Sequence, residues 1–233
     1  MINNKYGISL DRILSVPLPA ETETYKPIPY KEVNDFVLDN FNRVDKSSHF
    51  SINGGYAIKS IYEFDVNRDL KGCIVINNSY DKSVAFRATF AMMIKVCSNG
   101  MFMNIINSTY RRKHVEDVQL EYKNQVLEKI TSIDTFIDIH LQAKAKLEAI
   151  EMSKEDMYKE TLDIVLDRKF SNRFRNYGKI RQQIEHPSFN YHNGNTRWDF
   201  YNHCTLAARD SNLNAFDINN RKIASHFRLE TLI

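Results

Sequence analysis

The sequence predicts an α+β protein: an N-terminal antiparallel β-sheet of hairpins in meander order, then a long helical segment and a basic C-terminal helical region. Three observations predict this. In residues 84–97, Val84, Phe86, Ala88, Phe90, Met92, Ile94 and Val96 alternate with Ala85, Arg87, Thr89, Met93, Lys95 and Cys97, the period of a strand with one buried face. Beyond Asn107 the period changes, and Val115, Val118, Tyr122, Val126, Ile130, Ile133, Ile137, Leu141 and Ala145 step by three or four, as one helical stripe does. Charge is also unevenly spread: residues 168–233 hold 11 Lys/Arg against 5 Asp/Glu, whereas residues 108–167 hold 9 against 13 and residues 1–107 hold 12 against 11. The division falls near residue 107, with a sheet portion at 1–107 that includes an N-terminal helix and a helical portion at 108–233, the two read as one integrated domain.

Each element has a local cause. Pro17, Pro19, Pro27 and Pro29 favour extended backbone before residue 30, predicting a segment that lies along the surface or reaches a neighbouring subunit. Pro29 suits a helix start, and Val33, Phe36, Val37, Asn40 and Phe41 give the stripe of a helix from Tyr30 to about Arg43. Gly54-Gly55 between two β-rich runs reads as a hairpin turn, and Asn67-Arg68-Asp69 as the next. The apolar run Cys73-Ile74-Val75-Ile76 then meets a polar corner over residues 77–83, and Ser98-Asn99-Gly100 closes the strand that follows. The helical stripe carries no Gly or Pro and implies one helix of roughly 40 residues, about 60 Å long. A small sheet cannot cover that length, so the helix either folds back at an unmarked kink or pairs with another chain, and a homo-oligomer is expected. Ser153 with Asp156 makes a capping-box start for a helix carrying Met157, Thr161, Ile164, Val165 and Leu166.

Composition narrows the function classes. At 26% charged and 42% hydrophobic the chain can bury a substantial core and is not of disordered type. Cys73, Cys97 and Cys204 share no close spacing and read as reduced thiols acting as small hydrophobes. The absence of a basic-then-apolar leader and of any span-length apolar stretch predicts a soluble intracellular protein without membrane contact. None of the phosphate-loop, dinucleotide, nucleophile-elbow or zincin motifs occurs, so a non-enzyme is expected. His186, His192, His203 and Cys204 match no zinc spacing, and no metal or other cofactor is expected.

The stretch that points to a partner is residues 168–181, where six Lys/Arg and three aromatics stand without a single acid. Arg168, Lys169, Arg173, Arg175, Lys179 and Arg181 suit phosphates, and Phe174 and Tyr177 offer faces on which unpaired bases stack. The plainer reading is an amphipathic helix end, since Phe170, Phe174 and Tyr177 also share one helical side. After the stop at Pro187, Arg197 beside Trp198 offers a second stacking platform, against which stands a Trp that anchors the last helix to the core.

Asn78, Ser79, Asp81, Ser83, Arg87, Cys97, Asn99 and Gly100 form a corner, a strand containing Arg and a close. In this they resemble a family of phage- and plasmid-encoded proteins of unknown function, and Trp198, Asn202 and Thr205 are similar to that family's late W-x-x-x-N-x-x-T segment. The resemblance implies a mobile-element protein and supplies no chemistry. With the basic tract, it leads to the expectation of a phage-encoded single-stranded DNA-binding protein. Such a protein would act in transcription, replication or recombination in the cytoplasm of the infected bacterial host. Its partners would be single-stranded DNA and a phage RNA polymerase or replication proteins, by likeness to the single-strand-binding regulators that some lytic phages encode. Two rivals stand beside it: an inhibitor of a host defence or metabolic protein, and an enzyme with a site around Asp81 and Arg87. For Asp81, Asn78 and Ser79, a turn closed by side-chain hydrogen bonds explains the same residue types.

Overall fold

The computed structural model describes residues 7–51, 54–68, 70–94, 109–112, 118–167, 177–188, 194–208 and 213–229. The described chain is α+β, as expected: five strands near the N-terminal end, then helices. The strands are β1 (Lys46–Ser51), β2 (Ala57–Asp65), β3 (Leu70–Ser79), β4 (Phe86–Ile94) and β5 (Thr109–Arg112), joined in the order of the chain. β1 with β2, β2 with β3 and β4 with β5 are antiparallel. Two helices precede the sheet, α1 (Leu10–Leu14) and α2 (Tyr30–Asn40). Six follow it: α3 (Val118–Thr131), α4 (Ile133–Glu148), α5 (Lys154–Leu166), α6 (Tyr177–Glu185), α7 (Arg197–Ala208) and α8 (Leu213–His226).

The chain forms two compact units, one of Asn3–Ala91 with Asn107–Phe136 and one of Met92–Ile106 with Ile137–Ile233. The division expected at residue 107 therefore moves into α4, and α3 belongs with the sheet. The cause is packing: Tyr122 of α3 lies against Phe36 of α2 and Phe86 of β4, at centroid distances of 6.0 and 5.0 Å.

In the first unit, β1 turns into β2 through Gly54 and Gly55, both at positive φ. Gly55 at φ 106 also has Val16 Cγ2 only 2.4 Å from where a Cβ would stand, so backbone and space both require glycine there. Tyr30, Ile58 and Tyr80 pack with Ile13 in one cluster, Phe41 meets Phe64 edge-on, and the Tyr62 hydroxyl donates to Asn34 Oδ1 at 3.2 Å. These contacts set α1 and α2 over the face of β2 that carries Ile58, Tyr62 and Phe64. The opposite face is not solvated: Lys59, Ile61, Cys73 and Val75 are all buried. One buried face was expected of the strand at residues 84–97, yet in its described part, β4, Thr89 and Ala91 are buried as well as Phe86, Ala88, Phe90 and Met92, and β2 and β3 are likewise covered on both faces. Strands covered on both sides read as unbroken apolar runs, which is what Cys73-Ile74-Val75-Ile76 is.

The long helix is two helices, α3 and α4, separated at Ser132. Thr131 Oγ1 and Ser132 Oγ both donate to the Glu128 carbonyl, at 2.8 and 3.1 Å, and hydroxyls bonded back to the preceding turn bend helices. The middle of the stripe is covered within the chain: Tyr122, Val126, Ile130, Ile133 and Ile137 are buried, while Leu141 is half-buried and Ala145 exposed, so that middle stretch needs no partner chain to cover it. No described helix is long and apolar enough to cross a membrane.

In the second unit, Ser153 caps α5 by accepting from the Asp156 N–H at 3.1 Å. α5 packs on α6, α6 on α7, and α7 on α8. Every residue of α7 from Trp198 to Thr205 is buried, so this helix is the axis of the unit.

Candidate functional site

Three places named from the sequence have described geometry: the corner after β3, the stretch that runs into α6, and Arg197 with Trp198 at the start of α7. At the corner, the strand reaches Ser79, two residues past where the sequence placed the turn. Asn78, with no exposed surface, stays in β3 because both ends of its amide are bonded. Nδ2 donates to the Ile28 carbonyl, and Oδ1 accepts from the Ser79 N–H, each at 2.8 Å. Ser79 Oγ closes the corner by donating to the Val84 carbonyl at 2.7 Å and accepting from the Val84 N–H at 3.0 Å. Asp81 Oδ1 accepts from the Ser83 N–H at 3.0 Å, the Asx-turn pattern. Lys82, at φ 63, holds its ammonium 4.6 Å from the centre of the Tyr25 ring. The Tyr25 hydroxyl in turn donates to the carbonyls of Ser79 and Tyr80, and burial pushes its phenol up to about 12. Arg87 is half-buried on β4, opposite Arg111 in the register. Cys97, Asn99 and Gly100 lie outside the described residues.

Of the basic tract, Arg168, Lys169, Arg173, Phe174 and Arg175 lie outside the described residues, and Tyr177, Lys179 and Arg181 are on α6. Ile180 and Ile184 face inward, which turns Arg181 outward. Arg181 Nε donates to Glu185 Oε1 at 2.7 Å, and Tyr158 of α5 reaches the same carboxylate oxygen at 3.4 Å. Burial and the Glu185 charge push the Tyr158 phenol up while Arg181 opposes them, with Tyr177 close enough to contribute. Tyr158 and Arg181 thus meet at one Glu185 oxygen where α5 packs on α6, and Tyr177 precedes Arg181 by one helical turn. Tyr158 carried no signal in the sequence, because its neighbours in the fold lie about twenty residues or more away in the chain. Leu162 and Leu166, one and two turns beyond Tyr158 on α5, are 49% and 74% exposed, so the helix leads to residue 168 with apolar side chains outward.

The second platform is corrected. Trp198 is 6% exposed, stacks on Tyr201 at 5.4 Å and 15°, and has Lys144 Nζ 5.7 Å from its centre, so no base can lie on it without unpacking the unit. Arg197 is also engaged. Its Nη1 and Nη2 donate to Glu160 Oε2 and Oε1 at 3.0 and 2.6 Å, and its guanidinium lies over Phe227 at 5.2 Å. Glu160 Oε1 also meets His226 Nε2 at 3.0 Å, so one carboxylate ties α5 to α7 and α8. Among the described residues the histidines lie apart. His186 is exposed, His203 is buried on α7, His192 lies outside the described residues, and no described group of His, Cys, Asp and Glu could hold an ion. Burial pushes the Cys73 and Cys204 thiols up, which keeps both protonated and inert.

One buried histidine gives a pH test. His49 Nδ1 lies 2.9 Å from Ser60 Oγ, its ring meets Tyr62 edge-on, and burial lowers its pKa. The unfolded chain then binds more protons than the folded one below the ordinary histidine value of about 6.5. Stability contributed by neutral His49 is fully present above that value and is lost as pH falls below it. Melting followed by circular dichroism between pH 7.5 and pH 5 should show His49→Gln losing less than the wild type. An equal loss in both would remove His49 from the account.

Comparison with protein-family models, with curated proteins and with solved structures gives no match.

Proposed function

We propose that the chain binds single-stranded DNA through the basic tract at residues 168–181 and the α5–α6 face into which it runs. In this reading it is a phage-encoded protein that serves transcription, replication or recombination in the host cytoplasm, alongside a phage polymerase or replication proteins. The observation that carries it is the tract itself, six cations and three aromatics without an acid, entering a helix whose outward side holds Arg181 beside Tyr177 and Tyr158. Cations that follow phosphates and rings that stack on unpaired bases are what a sequence-tolerant single-strand binder requires. The Arg181–Glu185 pair does not count against it. An exposed pair one helical turn apart holds weakly, and a phosphate can take the place of the carboxylate. The resemblance at the corner supports a mobile-element origin, and the surplus of six positive charges over residues 168–233 supports a polyanionic partner. Arg197 and Trp198 have no part in the interface.

Fluorescence anisotropy with labelled single strands and duplexes at two salt concentrations tests this. Replacing Arg173, Arg175 and Lys179 together with Gln should weaken single-strand binding roughly tenfold or more and flatten its salt dependence, because fewer counterions are released. Phe174→Leu should weaken binding at every salt concentration if the ring stacks on a base. Equal affinity for duplex and single strand defeats the reading, and no binding to either in low salt favours a protein-directed inhibitor instead.

A further inference from the structure

The late segment of Trp198, Asn202 and Thr205 leaves one side chain without an explanation. Trp198 is packed against Tyr201, and Thr205 Oγ1 donates to the Asn202 carbonyl at 3.0 Å. The Asn202 side chain has no exposed surface, yet neither Oδ1 nor Nδ2 meets a protein partner. The hydroxyl of the adjacent Tyr201 is buried in the same way and likewise lacks one. Both stand on the helix that is buried on every side, so solvent cannot satisfy them from a surface. α8, which packs on α7, brings two more asparagines with no exposed surface, Asn219 and Asn220.

A carboxamide offers two N–H donors and a carbonyl with two lone pairs, and leaving these unbonded in an interior costs more than placing a leucine there. A charged occupant is disfavoured, because neither the Asn202 carboxamide nor the Tyr201 hydroxyl carries a charge to neutralise it. We infer that Asn202 and Tyr201 head an internal binding site in the second unit, occupied by a small neutral molecule that both donates and accepts hydrogen bonds. Water is the occupant that a fully enclosed site admits without opening. The site is separate from the proposed nucleic-acid face and stands whether or not that face binds DNA.

Magnetic relaxation dispersion of water, measured on the full chain, reads slowly exchanging internal molecules directly. The dispersion amplitude of the wild type should fall by at least one long-lived water in Asn202→Leu, in Tyr201→Phe, or in both. An unchanged amplitude in both variants overturns the site. If Asn202→Leu fails to fold, Tyr201→Phe, which removes a single oxygen, decides alone, and an unchanged amplitude there has the same consequence.

Discussion

Ile133→Asp should unfold the first unit rather than dissociate an assembly. Ile133 is 4% exposed at the start of α4, and a carboxylate there would be buried without a partner. The expected cost is roughly 4 kcal/mol or more, at the extreme of single substitutions and a large share of a typical domain's stability. Ile130→Asp, one turn earlier and also buried, should act in the same direction. Leu127→Asp supplies the control, since Leu127 is 40% exposed on the same helix and should melt close to the wild type. Circular dichroism and light scattering on the three variants separate the possibilities. A folded Ile133→Asp protein of lower mass than the wild type would mean that the stripe joins two chains after all.

Asn78→Ala should cost the first unit nearly as much. The substitution strands the Ile28 carbonyl and the Ser79 N–H, both beside a residue with no exposed surface. Each stranded buried group costs about 1–3 kcal/mol, so a loss of roughly 2–6 kcal/mol is expected for the two, with a fall in Tm of about 2–4 °C for each kcal/mol at this chain length. Asp81→Ala should cost less, because Asp81 is exposed and its bond to Ser83 competes with water. Neither variant should lose single-strand binding selectively. If either kept its melting temperature while binding vanished, the corner would be part of the functional site and its reading as turn chemistry would fail.

What the sequence made legible, and what it did not, follows from the range of the forces involved. Pro29 before α2, the glycine pair between β1 and β2 and Ser153 with Asp156 act over four residues or fewer, and each stands where its chemistry required. The change of period after Asn107 carried the α+β class. The break at Ser132 was written in the adjacent hydroxyls of Thr131 and Ser132, but neither residue ends a helix by propensity, and only their bonds to Glu128 mark it. The burial of both faces of β2 and β3 had a local trace in the run through Cys73 and Ile76, which the alternation of β4 overshadowed. The engagement of Arg197 had none. Its partner Glu160 lies 37 residues away on another helix, and no spacing rule reaches that far. At the candidate site, Arg181 and Tyr177 were legible as types in a pattern, whereas their meeting with Tyr158 depends on how α5 and α6 pack.

The order of the sheet bears on how the protein is made. Because each strand pairs with the one synthesised just before it, β1 to β4 can assemble as they leave the ribosome, with little loop-closure entropy to overcome. β5 is the exception, since fourteen residues separate it from the end of β4. Until Thr109–Arg112 arrives, the outer edge of β4 stands open with Phe86, Phe90 and Met92 along it, a template on which a second nascent chain can pair. When it arrives, β5 pairs antiparallel along that edge and takes up its open hydrogen-bonding groups.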